Sequence, residues 1–333
     1  MDWPSVWYGS RLSHRLTRAA LWPLSGVYAL GWRAYLGWYA VGLKRRCRAE
    51  LPVIGIGSLL VGGTGKTPVT VAVAHLLAQA GRHPAVSASG YGGDGEFRAL
   101  EPGDRARPEE VGDEAAMLRD ALPSCPVLVG RRRVQAARAA AARPDTDVLV
   151  LDDGFQHLPL DRSLDILVAE AGRPFGNGLC LPAGPLREPR RCVRRASALL
   201  LLGSGPVASP PGIPVFRASR KPTGLRSLDG AEARDLASLA GVRVVALSAL
   251  GNPSHFEGGL AELGAEVARR RFPDHHAYAR EDLSGLQGRM VVTTPKDAVK
   301  LRDLAEGLDV WVVAEEVTFD DPVGFRDFLL AAL

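Results

Sequence analysis

The chain has 333 residues, long enough for a full-sized core and two domains. Its 46% hydrophobic and 23% charged content is ordinary for a globular protein, and its net charge of +4 suits anionic partners without choosing among nucleotides, phospholipid headgroups and nucleic acid. The four cysteines (Cys47, Cys125, Cys180, Cys192) include no C-x-x-C pair, which argues against a zinc site or disulfide framework and fits a reducing compartment.

Residues 1–50 differ from the rest. Their charges are Arg11, Arg15, Arg18, Arg33, Lys44, Arg45, Arg46 and Arg48 against Asp2 and Glu50. Between Ala19 and Leu43 the chain is apolar and crowded with Trp22, Tyr28, Trp32, Tyr35, Trp38 and Tyr39. The apolar stretch starts too late for a cleaved signal peptide, and no small-residue cleavage site precedes the fold. Its length would suffice for a spanning helix, but Arg33 near the middle would cost ~2.5–3.5 kcal/mol on an insertion scale. Aromatic residues favour the headgroup level, and basic residues flank both ends. This predicts a helix, kinked at Pro23, lying in the cytoplasmic leaflet. The plainer alternative is an aromatic helix packed on the protein itself or on a second copy.

Next comes an apolar, β-prone run, Val53 to Ile56, followed by Gly62-Gly63-Thr64-Gly65-Lys66-Thr67 and a helical VTVAVAHLLAQA. Strand, glycine-rich loop and helix start make a phosphate cradle. Backbone N–H groups face the anion, Lys66 adds a point charge, and the Thr67 hydroxyl is a Mg²⁺ ligand. The P-loop pattern asks for glycine six residues before the lysine, where this chain has Leu60.

From there strand-like and helix-like segments alternate: strands at 83–89, 125–130, 146–157, 163–170 and 197–203, with helices at 112–122 and 131–142. Alternation of this kind predicts an α/β fold, a P-loop NTPase-like parallel sheet with helices on both faces. Pro, Gly and Ser cluster over 203–214, and the alternation resumes with strands at 242–250, 289–294 and 309–314 and helices at 252–263 and 296–304. The expected organisation is an N-terminal membrane-associating helix (1–50), a P-loop core (51–218) and a smaller C-terminal α/β domain (219–333).

Several side chains in this frame carry chemistry. Asp152 and Asp153 close the strand DVLVLDD, where a Walker-B acid belongs and where a carboxylate holds Mg²⁺ beside Thr67. Neighbours on an extended backbone point to opposite sides, so one acid would face the metal and the other a supporting shell. Asp113 lies at a helix start, where N-capping is the commoner role for Asp. His275 and His276 sit in a turn after a strand, where a histidine is either a packing residue or, beside an acid, the tuner of a general base. Arg187 offers a cation for phosphates, and Glu188 an acid to pair with it. Lys296 and Asp297 start a helix with the same ambiguity.

The set VGGTGKTP, GYGG, GDEA, LDDGFQH, LPAGPLREP, FPDHH and KDAVK, in this order and spacing, resembles the tetraacyldisaccharide 4′-kinase family of lipid A biosynthesis, from the N-terminal aromatic helix to about residue 301. The resemblance implies ATP and Mg²⁺ as cofactors and a lipid A disaccharide monophosphate as acceptor. It also implies a peripheral place on the cytoplasmic face of the bacterial inner membrane. It puts the P-loop lysine and threonine on Lys66 and Thr67, the Mg²⁺-associated acids on Asp152 and Asp153, and the phosphate-contacting arginine on Arg187. It puts the proposed base on Asp113 and its histidine partner on His275. Three positions depart from the family's usual residues: Ser58 for Asn, Ser89 for Arg and Pro295 for Glu.

The rival of a different class is a membrane-recruited regulatory ATPase of the partitioning type. That group places a lysine just before the paired glycines, where this chain has Val61. Nucleic acid is not an expected partner, because the basic residues gather near the aromatic N-terminus without a binding motif.

Overall fold

A computed structural model describes residues 3–206 and 212–333. Part of the Pro/Gly/Ser-rich connection expected over 203–214, namely 207–211, lies outside the described residues. Packing groups the chain into two compact units, one of residues 1–87, 132–219 and 318–333, the other of 88–131 and 220–317. Residues 88–131, read from sequence as part of the P-loop core, thus pack with the C-terminal half.

In the first unit the strand Val53–Gly57 is central, with every residue buried. It pairs in parallel on one side with Val148–Leu151, which pairs in turn with Pro84–Ala88. On the other side it pairs in parallel with Leu164–Glu170, followed outward by Ala198–Leu202 and the start of Val215–Ser227. Buried on both faces, Val53–Gly57, Val148–Leu151 and Ala198–Leu202 read as continuous apolar runs, which is why the sequence announces them. Val53–Gly57 is also where the order of connection reverses, and the carboxyl end of a strand at such a switch point is where open α/β sheets bind ligands.

The helix Lys66–Gln79 buries Lys66, Val69, Thr70, Val73, Ala74 and Leu77, a three-and-four-residue spacing that keeps one face inward. Pro68 falls in its first turn, where a missing N–H costs nothing. Gly81 at φ 78° ends it, with Arg82 N–H donating to Leu77 O and Gly81 N–H to Ala78 O, closing the last turn.

The helix Leu12–Ala40 runs for 29 residues through Pro23. One side is tied to the loop 177–187: Ser25 Oγ donates to Cys180 O at 2.8 Å and accepts from Ala183 N–H, and Tyr28 OH donates to Arg187 O at 2.9 Å. The other side leaves Leu12, Leu16, Trp22, Leu24, Val27, Leu30 and Trp38 exposed. No described helix is long and apolar enough to cross a membrane.

In the second unit four strands pair in parallel, in the order Glu266–Arg271, Arg243–Ser248, Met290–Thr293, Asp309–Phe319. The helix Pro295–Leu301 follows Met290–Thr293, and Pro295, the departure from the family's usual residue, occupies its first turn, where the ring is pre-set for a helix. The antiparallel pair Arg98–Leu100 and Val127–Val129 belongs to the same unit. So does the helix Asp113–Ala121, which packs on Pro295–Leu301.

Candidate active site

In the first unit the loop after Val53–Gly57 is shaped by backbone contacts. Leu60, at the position where the P-loop pattern asks for glycine, is buried and bridges Leu186, while Val61 N–H donates to Pro185 O at 2.9 Å. A side chain is tolerated there because that position faces the protein. The glycines that follow do have open space beside them: nothing lies within 4 Å of a Cβ built on Gly62 or Gly63, and Gly62 and Gly65 have φ of 96° and 76°. An anion can approach the backbone at these positions, and side chains there would obstruct it.

Both strand-tip acids serve this loop, by different bonds. Asp152 is buried and accepts from Thr67 Oγ1 at 2.9 Å and Thr70 Oγ1 at 2.8 Å. Asp153 leaves the extended conformation, with φ of 52°, and faces cations: Lys66 Nζ lies 3.6 Å from Oδ1 and Arg187 donates to Oδ2 at 2.6 Å. Burial alone would raise its pKa, but the charges of Lys66 and Arg187 outweigh that and hold the carboxyl below its ordinary value. Lys66 and Arg187 are thus held beside the glycines by the same carboxylate.

Behind the acids lie residues that the sequence reading passed over. Arg133 is buried and donates to Asp152 O at 2.7 Å and Ser87 Oγ at 3.2 Å. In an RRR run no pattern singles it out. Glu188 does not pair with Arg187. Fully buried, it takes Arg195 at 2.7 Å and Gln156 Nε2 at 3.0 Å. Thr70 was legible only as the residue one turn beyond Thr67. Cys192 stays out of the chemistry: burial and then Glu188 push its thiol up to about 12.

In the second unit Asp113 does not cap its helix. The N-cap is Gly112, at φ 82°, and no side-chain cap hydrogen bond forms. A Cβ built on Gly112 would fall on the Tyr91 carbonyl, so glycine is required there and Asp113 becomes the first helical residue. Its Oδ2 lies 3.2 Å from His275 Nδ1. The Lys296 ammonium, which also donates to Asp274 at 2.7 Å, lies 3.4 Å from His275 Nε2. An ammonium only donates, so Nε2 accepts and the proton of a neutral ring sits on Nδ1, donated to Asp113. His275 is itself held at φ 60°. The other histidine is occupied elsewhere: His276 Nε2 pairs with Asp282 at 2.8 Å, and its ring stacks on Phe272.

Comparison with known proteins identifies the family. A family model for tetraacyldisaccharide-1-P 4′-kinase (LpxK) matches residues 17–333. The chain belongs to this kinase family. A tetraacyldisaccharide 4′-kinase of Anaeromyxobacter sp. (strain Fw109-5) is 41% identical over 327 residues, covering 89% of this chain and 86% of that protein. One from Chromobacterium violaceum is 40% identical over 308 residues, covering 90% of each. A crystal structure of LpxK from Aquifex aeolicus in complex with ATP is similar at a TM-score of 0.83 with 30% identity, covering 95% of this chain and 99% of that one. The chain is therefore a kinase of lipid A biosynthesis that phosphorylates the 4′-hydroxyl of a tetraacyldisaccharide 1-phosphate at the expense of ATP. The partitioning-type ATPase is not favoured.

One titration should be visible in stability. Burial first, then Arg133 and Arg162, lowers the pKa of His157 to about 4 from 6.5. Between those values the unfolded chain binds the proton and the folded chain does not, so stability falls as pH drops from about 6.5 to about 4. His157→Gln should flatten the melting temperature against pH over that window. A variant whose melting curve tracks the parent throughout would show that His157 does not set the slope.

Proposed function

We propose that the transfer is carried by two sets of side chains, one holding phosphate and one taking the proton. In the first set, the backbone of Gly62, Gly63, Thr64 and Gly65 and the start of the helix at Lys66 cradle the phosphates of ATP. Lys66 and Arg187 neutralise charge on the transferring group, the larger part of catalysis in phosphoryl transfer. The donors near the loop, one hydroxyl (Thr67) and two carboxylates (Asp152, Asp153), fit a Mg²⁺ ion that takes its remaining ligands from phosphates and water. When bound, Mg²⁺ supplies a further positive charge to the phosphate oxygens.

In the second set, Asp113 accepts the proton of the sugar 4′-hydroxyl and His275 orients it. The observation that supports this reading is the 3.2 Å contact of His275 Nδ1 with an aspartate released from capping duty by Gly112. Asp113→Asn should lower kcat by about 10²–10⁴, the usual worth of a positioned base. The KM for ATP should change little. His275→Ala should be milder, and the double variant far less damaged than the product of the two single losses. Strictly multiplicative losses would mean that the two residues act independently.

The lipid acceptor keeps its acyl chains in a bilayer, and the outward side of Leu12–Ala40 fits that requirement. Its exposed Leu16, Trp22, Val27, Leu30 and Trp38 recur at roughly helical spacing, with Arg11 and Arg15 exposed at the N-terminal end. We read this side as lying in the headgroup layer at the cytoplasmic face of the inner membrane. Ser25 and Tyr28 tie the opposite side to the loop carrying Arg187, so the test leaves them in place. Replacing Leu16, Trp22, Val27 and Leu30 with Gln should release the protein from anionic vesicles without lowering its melting temperature. Unchanged vesicle binding would contradict the assignment.

A further inference from the structure

We infer that Lys300 is a positioning residue for the proton-accepting carboxylate, fixing Oδ2 of Asp113 so that Oδ1 is the oxygen that takes the proton. The inference rests on the reading of Asp113 as the base. Lys300 lies near the end of the helix Pro295–Leu301, and its side chain is only 6% exposed. Its ammonium lies 3.1 Å from Asp297 Oδ1, donates to His276 O at 3.1 Å, and sits 5.1 Å from the centroid of the Tyr278 ring. Asp297 is fully buried and is itself fixed by Ala249 N–H at 3.1 Å and Thr294 Oγ1 at 2.8 Å. The ammonium is thus anchored from several directions before it meets the reacting group.

Asp297 alone would balance the charge of Lys300. Yet the same ammonium also reaches Asp113 Oδ2, at 3.6 Å. His275 Nδ1 approaches that same oxygen, at 3.2 Å. The two groups come from different segments and converge on one atom, while Oδ1 carries no hydrogen bond or ion pair among the described residues. A carboxylate held by one oxygen cannot turn about its last bond, so the free oxygen keeps a fixed direction. In the reaction the proton of the 4′-hydroxyl passes to Oδ1 as its oxygen bonds to the γ-phosphorus. The bond from that phosphorus to the bridging oxygen breaks, and ADP leaves with the electron pair. In this role Lys300 is no partner of either substrate. It acts through Asp113.

Lys300→Met should lower kcat by about 10-fold to 100-fold, the scale of a small misplacement of a reacting group. The KM for ATP should stay within about two-fold, since the phosphate-binding residues are untouched. Lys300→Arg, which keeps the charge, should recover much of the loss. In an Asp113→Asn background Lys300→Met should cost nothing further, because the group it positions is gone. Lys300→Met leaves a buried acid unpaired, so the same measurements are made on Lys300→Met/Asp297→Asn, which removes both charges together. Parental kcat in that folded double variant, or an equal loss from Lys300→Met with and without Asp113, would overturn the inference. Full kcat in Asp113→Asn alone would instead overturn the base itself, and the positioning role with it.

Discussion

Two adjacent carboxylates at the end of one buried strand tie together a glycine loop, the helix that follows it and an arginine loop. Buried charge is tolerated only when it is paired or fully hydrogen-bonded. Asp152 and Asp153 satisfy that requirement in opposite ways. Asp152 takes the hydroxyls of Thr67 and Thr70, locking the start of the helix to the strand tip. Asp153 takes Lys66 from the glycine loop and Arg187 from a loop more than thirty residues on, as the sequence numbering gives it. The left-handed backbone at Asp153 is what turns the second side chain toward the cations. Glycine loop, helix and arginine loop are thereby fixed by neighbouring residues of a single turn.

The other unit solves a different electrostatic problem with similar parts. There Asp113 keeps one oxygen free while the other meets His275 and Lys300. Asp274 and Asp297 are the supporting acids: one holds Lys296 beside the histidine, the other anchors Lys300. Each cation in the cluster has a carboxylate of its own besides the group it serves.

What the sequence made legible follows from burial. Strands hidden on both faces, such as Val53–Gly57 and Val148–Leu151, stand out as unbroken apolar runs. Glu266–Arg271 does not, because it is exposed at the sheet edge and rich in arginine. Val215–Ser227 hid behind Pro222 and Gly224, breakers that the strand accommodates because it is exposed at 220–223. The helix expected over 252–263 starts at Ser254, with Asn252 outside it accepting the Ser254 N–H. For the candidate site, motif spacing singled out Lys66, Thr67 and the acid pair, which the fold brings together. It misassigned Asp113 as a cap, because a glycine N-cap with positive φ is a tertiary fact, set by the approach of Tyr91. Arg133, Thr70 and Lys300 were invisible for the same reason: their roles depend on which buried acid each one meets.

The most direct test of the account is the transfer itself, measured with the residue on which the phosphate site turns. Purified protein is incubated with ATP, Mg²⁺ and a tetraacyldisaccharide 1-phosphate in detergent, and the lipid is followed by mass spectrometry. The account predicts one added phosphate on the lipid, ADP formed only when the lipid is present, and a loss of about 10²–10³ in kcat for a folded Lys66→Ala variant. ATP hydrolysis that proceeds without acceptor and yields no phosphorylated lipid, or near-normal transfer by Lys66→Ala, would contradict it.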